Sequence, residues 1–314
     1  MSQERRDLSI TIVSFNTREL TCQCLRSIVE NTRITYEIWV VDNNSSDGSA
    51  EMVEQEFPQV HVIRNDSNKG PAAAFNQGLA RSTGRYVLTL NSDTIVPPGA
   101  LDKLVQFMDE HPDVGGATPR LVLPDGREHP AFCGRVPTLR AELLDALAPI
   151  HRSIAKAVPA ARFGEDISYG ETQEVPCILW GTAFIVRREA IKSVGPEDPR
   201  FFVYGEDVDW AMRISKAGWK LYSVADAEVI HYGGQSTRQL SATMLAQLQK
   251  SKCRLIQKHY GLLAGLTLRL AVALVSAIRM AKWIGIYLVR RRRRSEASAR
   301  IQQMWTVVRC VIAY

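Results

Sequence analysis

The sequence predicts an α/β fold in which a mostly parallel sheet is flanked by helices, followed by a helical C-terminal tail. Two observations carry this prediction. Over the first hundred residues, apolar and β-branched runs alternate with segments of helical periodicity, which is typical of βαβ units. Beyond Gln239 the helical periodicity continues to the last residues. With 314 residues, 46% of them hydrophobic, the chain can bury a substantial core.

The elements of the first hundred residues follow from this alternation. Thr17, with Glu19 in the next turn, predicts the start of a helix, and Asp47 and Ser49 supply capping groups for the next one. Strands are predicted over 8–15, 36–42, 60–64 and 86–91, and helices over 17–31, 49–57 and 71–81.

The remaining elements are less regular. A helix is predicted from the prolines at 97 and 98 to Glu110, and turn signals at 124–126 interrupt an irregular section over 114–133. A compact block over 177–231 contains a predicted strand at 179–186 and helices at 188–194 and 206–217. We therefore expect a domain over 1–236, with halves at about 8–97 and 98–236, and a tail over 237–314.

An amphipathic segment over 138–158 lies between these blocks. Apolar residues recur at helical spacing, and basic residues lie between them. Two interpretations are open: a helix that faces the core, or a surface that shapes an acceptor or membrane site.

Composition excludes some functions. The net charge is +6, but the run Arg290–Arg294 supplies five positive charges, so the excess is a local patch. One terminal patch without interleaved aromatic residues does not indicate nucleic-acid binding. The six cysteines show no paired metal-ligand spacing, and no secretory signal precedes the first strand, so we expect a cytosolic protein with reduced thiols.

Short polar side chains follow the predicted strand that ends at Asp42. The segment from Asp42 to Gly48 contains Asp47 and ends in a glycine that permits a tight turn. A carboxylate at this position can accept the ring N–H of a pyrimidine; the alternative is a well-capped loop without a ligand.

The helix predicted at 71–81 begins after Asn68, Lys69 and Gly70, with Asn76 in its second turn. Small residues and a proline at a helix start leave backbone N–H groups exposed at its positive end, where anions bind. The glycine spacing is not that of a Rossmann or Walker phosphate loop.

Asn91, Ser92 and Asp93 follow the predicted strand at 86–91. Hard oxygen ligands suit Mg²⁺ or Mn²⁺, and Asp93 is the first candidate ligand, although a turn residue is the alternative. His231 ends a short apolar strand pattern; it is either structural or a further metal ligand.

Three carboxylates begin the helix predicted at 206–217. Acidic residues at a helix start need no catalytic reason, because the helix dipole favours them. Asp209 has an i,i+4 partner in Arg213, which favours a structural role. Asp207 has no such partner and is the better candidate base, with Glu206 beside it.

Taken together, these motifs resemble the inverting glycosyltransferases of family 2, and within them the bacterial rhamnosyltransferase-like members. The resemblance covers about 8–236, and the order and separation of its segments make it specific. The segments are Val13-Ser14-Phe15-Asn16, residues 41–48, Asn68-Lys69-Gly70, Leu90-Asn91-Ser92-Asp93, Gly181-Thr182-Ala183-Phe184, residues 201–209 and Val229-Ile230-His231.

The resemblance implies a GT-A fold, with a nucleotide-binding half at 8–97 and an acceptor half at 98–236. It implies a divalent cation, Mg²⁺ or Mn²⁺, held by Asp93 and His231, with Asp207 as general base and Glu206 beside the acceptor hydroxyl. Asn91 replaces the first acid of the family's DxD motif. Residues assigned to the nucleotide-sugar donor are Ser14, Asn16, Asp42, Asp47, Asn68, Gly70, Asn76 and Asn91.

The resemblance implies a reaction that moves a sugar, with rhamnose as the first candidate, from a dTDP or UDP donor to a glycan or polyprenol-linked acceptor in bacterial cell-surface glycan synthesis. A sugar nucleotidyltransferase is an alternative, but it would carry a glycine-rich loop with a basic residue where Ser14 to Thr17 stand. The second alternative is a catalytically inactive module that binds nucleotide sugars or glycans.

The sequence of the tail predicts contact with a membrane. Residues 262–289 are apolar for the length of a bilayer, but Arg269, Arg279 and Lys282 interrupt them and share one arc of the helix. We expect a helix that lies in the membrane interface, with Arg290–Arg294 against anionic headgroups, and hence a protein peripheral to the inner face of the cell membrane. A soluble packed helix and a true span are the alternatives.

Overall fold

The computed structural model describes residues 6–129, 133–150, 170–179, 181–233 and 241–313. The chain forms two compact units. The first contains Met1–Gly134, Asp166–Phe202 and Glu206–Ser236, and the second contains Arg135–Glu165, Val203–Gly205 and Thr237–Tyr314. The tail predicted from residue 237 thus belongs to a unit that also includes earlier segments.

The strands are β1 (Leu8–Ser14), β2 (Tyr36–Asp42), β3 (His61–Arg64), β4 (Tyr86–Asn91), β5 (Thr94–Ile95), β6 (Val114–Val122), β7 (Cys133–Gly134), β8 (Gln173–Glu174), β9 (Cys177–Ile178), β10 (Ala183–Arg187) and β11 (Lys220–His231). The helices are α1 (Arg18–Asn31), α2 (Ser49–Glu56), α3 (Pro71–Leu79), α4 (Ala100–Glu110), α5 (Leu139–Leu147), α6 (Arg188–Val194), α7 (Glu206–Lys216), α8 (Ser241–Tyr260), α9 (Leu262–Val289) and α10 (Arg294–Ile312).

The first unit is built on one mixed sheet with the strand order β3-β2-β1-β4-β10-β6-β11-β5. Strands β1 to β4 are parallel, whereas β10 runs antiparallel to both β4 and β6. Strands β2 and β4 begin and end where the sequence predicts, and their aliphatic residues are buried because helices cover the sheet.

The prediction of irregular structure over 114–133 was wrong for the first part of this section, because residues Val114–Val122 form strand β6. Gly115, Gly116 and Pro119 argue against a strand by propensity. Close packing explains the glycines: an added Cβ would lie 2.4 Å from the Cβ of Trp219 at Gly115 and 2.6 Å from the Phe184 ring at Gly116.

The second unit is helical, as predicted. A buried cluster from α8, α9 and α10 forms its core, and Leu139 and Leu143 of α5 pack against it. The interpretation of 138–158 as core-facing is therefore confirmed for α5, whereas residues 151–158 lie outside the described residues. Buried Lys252 of α8 forms ion pairs with Glu142, at 3.0 Å, and with Asp145.

Candidate active site

Three of the predicted site residues lie at the carboxyl ends of neighbouring parallel strands. In the pairing register, Ser14 is opposite Asp42, and Asn91 is opposite Val13. This edge of an open α/β sheet is where ligands bind, because the loops that leave the strands diverge there. The first unit therefore places its polar loops around one cleft edge, as the sequence predicts.

Asp42 is buried at this edge. Its Oδ2 accepts a hydrogen bond from the Ser45 N–H at 3.0 Å, whereas Oδ1 is buried and has no hydrogen-bond partner among the described residues. A buried carboxylate oxygen without a partner is costly, by about 1–3 kcal/mol or more. The atom is thus suited to accept an N–H from a ligand.

Asn16 and Asp47 shape the loops beside Asp42. Asn16 has a left-handed backbone, with φ of 52°, and its Oδ1 accepts the Ser46 N–H at 2.8 Å. The Asp47 carboxylate accepts the backbone N–H groups of Arg18, at 2.9 Å, and Ser49, at 3.0 Å, and so joins the starts of two helices. Burial favours a higher pKa for Asp47, but these hydrogen bonds outweigh it and lower the pKa. The contacts of Asn16 and Asp47 with the nucleotide-sugar donor stay predictions.

Asn68 and Gly70 hold the start of α3. The Asn68 Oδ1 accepts hydrogen bonds from the Asn43 side chain and the Gly70 N–H, each at 3.0 Å. Gly70 has φ of +80°, and an added Cβ would lie 2.2 Å from the carbonyl oxygen of Phe202. Only glycine fits, which explains the residue by close backbone packing as well as by backbone conformation.

Asn76 has a task that its position in the sequence did not indicate. Its side chain donates to the Glu197 carbonyl at 2.8 Å and accepts from the Glu197 N–H at 3.1 Å. This pair of hydrogen bonds fixes the backbone of the loop after α6 to α3. The geometry makes Asn76 a positioning residue, and its predicted role in donor binding has no contact of its own in support.

Ser14 lies in a buried hydroxyl network. Its Oγ is 3.2 Å from Thr17 Oγ1, which lies 3.0 Å from Ser92 Oγ, one residue before Asp93. Thr17 does not cap α1 with its side chain, contrary to expectation, because this network engages its hydroxyl. Ser14 thus supports the loop that carries Asp93.

Asp93 and His231 form a buried pair, with Oδ1 and Nε2 separated by 3.2 Å. The pairing of β11 with β5 places His231 opposite Thr94, and the Tyr232 N–H donates to the Asp93 carbonyl. Nδ1 of His231 is buried without a hydrogen-bond partner among the described residues, whereas Nε2 is the nitrogen that contacts Asp93.

This donor set fits a divalent cation that is shared with a substrate. Among the described residues no three histidine, cysteine or carboxylate side chains come together to hold a metal by themselves. Mg²⁺ is commonly bound by one or two protein ligands, with substrate phosphates and water in the other positions. Asp93 and His231 supply such a pair.

Asp207, at the start of α7, reaches the same edge of the sheet. Its Oδ2 accepts the Gly181 N–H at 2.5 Å, and its Oδ1 accepts the Val208 N–H at 2.7 Å. The carbonyl of Thr182, the residue after Gly181, accepts a hydrogen bond from the Asn91 N–H at 2.9 Å. Asp207 is therefore fixed beside the end of β4, the strand that leads to Asp93. Sequence patterns do not reveal this contact because 26 residues separate Gly181 from Asp207.

Two further carboxyl groups, those of Glu206 and Glu197, interact electrostatically with Asp207. Burial, together with the charges of Asp207 and Glu197, raises the pKa of Glu206 well above its ordinary value. Burial and the charge of Asp207 raise the pKa of Glu197 to about 8. Sequence reasoning missed Glu197, since a lone carboxylate after Gly195 and Pro196 gives no sign of burial.

The raised pKa of Glu197 predicts a pH-dependent stability. Between its unfolded pKa, near 4.5, and about 8 the native protein binds more protons than the unfolded chain, so the unfolding free energy falls as the pH rises. We expect Glu197→Gln to be more stable than the wild type at pH 8, on the order of 1–3 kcal/mol, and to match it near pH 4. Urea unfolding across this range measures the difference, with exposed Glu30→Gln as control. A Glu197→Gln protein that is less stable at pH 8 would contradict the prediction.

Asp209 has the structural role that its spacing predicts. Its buried carboxylate contacts the Arg213 Nε at 2.9 Å, and Arg213 also donates to the Val194 carbonyl at 2.6 Å. This pair ties α7 to the end of α6.

Comparison with known proteins gives a consistent result. Residues 9–195 match the family described as "Glycosyl transferase family 2". The chain is 30% identical over 242 residues to an N-acetylglucosaminyl-diphospho-decaprenol L-rhamnosyltransferase of Mycobacterium tuberculosis, covering 72% of this chain and 76% of the relative. It is 24% identical to the glycosyltransferase AglE of Haloferax volcanii, covering 71% of this chain and 66% of AglE.

Two solved structures share the fold. Residues 1–349 of Staphylococcus aureus TarS, in complex with UDP, align with a TM-score of 0.55 at 15% identity over 98% of this chain and 91% of the other. The mannosyltransferase PcManGT from Pyrobaculum calidifontis, in complex with GDP-Man and Mn²⁺, aligns with a TM-score of 0.52 at 17% identity over 98% and 88%. The predicted GT-A fold is confirmed.

Proposed function

The chain belongs to glycosyl transferase family 2, and we propose that its site transfers a sugar from a nucleoside diphosphate to a hydroxyl acceptor with inversion at the anomeric carbon. One observation carries the proposal. Asp207 is bonded to Gly181 beside the end of β4, and Asp93 follows that strand, so a candidate base and a candidate metal ligand share one sheet edge. Membership of this family argues against the alternative that the protein is a sugar nucleotidyltransferase.

The donor would bind across the carboxyl ends of β1, β2 and β4. The buried Asp42 Oδ1, which lacks a partner among the described residues, would accept the ring N–H of uracil or thymine. Asn68 and Gly70 form the turn that leads into α3. The N-terminus of this helix would favour the negative charge of a diphosphate.

A divalent cation, Mg²⁺ or Mn²⁺, would be held by Asp93 and His231. When bound, it would neutralise the charge that develops on the leaving diphosphate, an effect of several kcal/mol. The pair is buried, so the attraction between these ligands and a cation is screened less than at an exposed site. Mn²⁺ in the mannosyltransferase structure supports a divalent cation here.

Asp207 would remove the proton of the acceptor hydroxyl. The Gly181 and Val208 N–H groups hold its carboxylate in place, and a carboxylate oxygen that accepts one N–H has a second lone pair in its chemistry, so these bonds are compatible with a base. Glu206, with its raised pKa, is suited to remain protonated and to donate a hydrogen bond to the acceptor. The acceptor oxygen, losing its proton to this base, would bond to the anomeric carbon on the face opposite the bond to the diphosphate, which breaks; this single displacement gives inversion.

The mycobacterial relative suggests the substrates. Its name specifies a rhamnose transferred to N-acetylglucosaminyl-diphospho-decaprenol, and the alignment covers three quarters of that protein, at 76%. We therefore propose dTDP-rhamnose as donor and a polyprenol-linked glycan as acceptor, in bacterial cell-surface glycan synthesis. The complex of TarS with UDP keeps UDP-sugars as the second donor class.

A thermal-shift panel tests the donor. A ligand at a hundred times its dissociation constant stabilises the folded state by about 2.7 kcal/mol, so the correct donor should raise the melting temperature most. We expect dTDP-rhamnose with Mn²⁺ to give the largest shift among dTDP-, UDP- and GDP-sugars, and Asp42→Ala to lose it. A larger shift from a GDP-sugar would contradict the pyrimidine assignment, and donor turnover in the same samples tests the inactive-module alternative.

The membrane proposal rests on two faces of α9. Leu268, Val272 and Val275 of α9 are buried in the helical unit, whereas Leu270 and Leu274, on a second apolar face, are exposed at 72% and 62%. By length and composition α9 is the one candidate span among the described residues, with mean hydropathy 1.8. A helix that is packed on one face and apolar on the other suits the membrane interface, at the cytoplasmic side, where Arg290–Arg294 would contact anionic lipid.

Charge on the exposed face should release the protein from lipid. We expect Leu270→Glu/Leu274→Glu to move the protein from the pellet to the supernatant after sedimentation with vesicles of anionic lipid, because burying each leucine contributes about 1.5–3 kcal/mol. Val29→Glu, at an exposed apolar position of α1, is the matched control and should sediment like the wild type. Equal sedimentation of all three proteins would exclude this face.

A further inference from the structure

His129 is a buried histidine that the proposed reaction does not yet use. Its ring stacks on His231, with centroids 5.0 Å apart and ring planes at 29°. A turn at Gly126 returns the chain to the end of β6, where the His129 N–H donates to the Leu121 carbonyl at 2.9 Å. Leu121 is also opposite Val229 of β11, two residues before His231, so the fold brings the two rings together.

The stack matters because of how His231 is held. A histidine that binds a metal almost always donates its second ring N–H to a carboxylate or carbonyl, which fixes the orientation of the ring. Here Nε2 of His231 lies 3.2 Å from Asp93 Oδ1, and the second ring nitrogen, Nδ1, has no hydrogen-bond partner among the described residues. The face of the His129 ring supplies a contact that orients the His231 ring.

We propose that His129 is a positioning residue for the divalent cation, whose ring holds His231 with Nε2 directed at the Asp93 carboxylate. This rests on the proposed function, in which Asp93 and His231 bind the cation. The 3.2 Å separation of Asp93 Oδ1 and His231 Nε2 places both atoms where one cation can contact them. A ring free to rotate would lose this alignment.

The competing role is that of a third ligand. The described residues do not bring three potential ligand side chains together around one point, which favours stacking over coordination. The two roles differ in what they require of residue 129: stacking needs an aromatic ring, whereas coordination needs a nitrogen atom. Phenylalanine keeps the first property and removes the second.

Titration calorimetry of Mn²⁺ into the full-length protein saturated with dTDP separates these roles. We expect His129→Ala to weaken Mn²⁺ binding by about 10- to 100-fold, the usual effect of losing a group that orients a metal ligand, and His129→Phe to restore binding close to that of the wild type. His61→Ala is the control, since it removes a histidine stacked on Trp39 of β2, at 4.3 Å. Binding of dTDP in EDTA reports whether each variant is folded.

Two results would overturn the proposal: wild-type Mn²⁺ affinity in His129→Ala, or a loss in His129→Phe as large as in His129→Ala. If His129→Ala does not fold, His129→Phe compared with His129→Gln decides in the same way. Asp93→Asn distinguishes this failure from that of the proposed function. If Asp93→Asn loses Mn²⁺ binding while His129→Ala keeps it, only the role of His129 is wrong.

Discussion

Asp207→Asn is expected to lower the rate of sugar transfer by about 10²- to 10⁴-fold while donor affinity stays near that of the wild type. Asparagine keeps the shape of the side chain, and its oxygen can still accept the Gly181 N–H that aspartate accepts at 2.5 Å. It cannot take up a proton from the acceptor. The loss should therefore appear in kcat and not in the donor thermal shift.

Single-turnover transfer, measured beside donor binding, checks this prediction. Asp209→Asn, two residues on, is the informative contrast because Asp209 is fully buried against Arg213. Breaking a buried ion pair costs about 3–5 kcal/mol, so this variant should lose stability, with little change in rate per folded molecule. Near-wild-type turnover by Asp207→Asn would remove Asp207 from the role of base.

The difference between Asp207 and its neighbours comes from their surroundings. Glu197 is buried and Glu206 is half-buried, and burial together with the charge of Asp207 raises the pKa values of both. Three carboxylates in one place repel one another, and the repulsion falls when two of them hold protons. Backbone N–H groups stabilise the charge on Asp207. The cluster thus places two carboxyl groups of raised pKa beside Asp207.

The sequence predicted the elements of residues 8–97 closely because the signals there are local. Residues Tyr36–Asp42 and Tyr86–Asn91 are β-branched or apolar runs that end in turn-forming side chains, and this places Asp42 and Asn91 at strand ends. The parallel order then brings these ends to one edge. The alternation of strands and helices was therefore enough to predict that Asp42 and Asn91 lie at one edge of the sheet.

The parts that sequence reasoning missed depend on partners distant in the chain. Gly116 lies in a strand because its missing side chain admits Phe184, a contact that propensity opposes. Asn76 is of a type that suits a ligand, yet the Glu197 backbone is its partner. Residue type shows which bonds a side chain can make, but only the fold shows which partner it meets.

Asp93→Asn is expected to abolish the stimulation of transfer by Mn²⁺ and to reduce kcat by at least the 10³-fold that corresponds to about 4 kcal/mol of lost charge stabilisation. The neutral amide is a poor ligand for a hard cation, and His231 alone, 3.2 Å away, cannot hold it. EDTA should reduce the wild type to a similar level and should not lower the variant further.

Asn91→Asp tests the same site from the opposite direction. Asn91 is exposed and stands where the family's DxD motif has its first acid, so a carboxylate there should add charge next to the cation and tighten Mn²⁺ binding. The gain should vanish in the Asp93→Asn/Asn91→Asp double variant if Asp93 is the principal ligand. Activity fully retained in EDTA and in Asp93→Asn would show instead that the diphosphate leaves without a metal, and the N-terminus of α3 would then have to carry its charge.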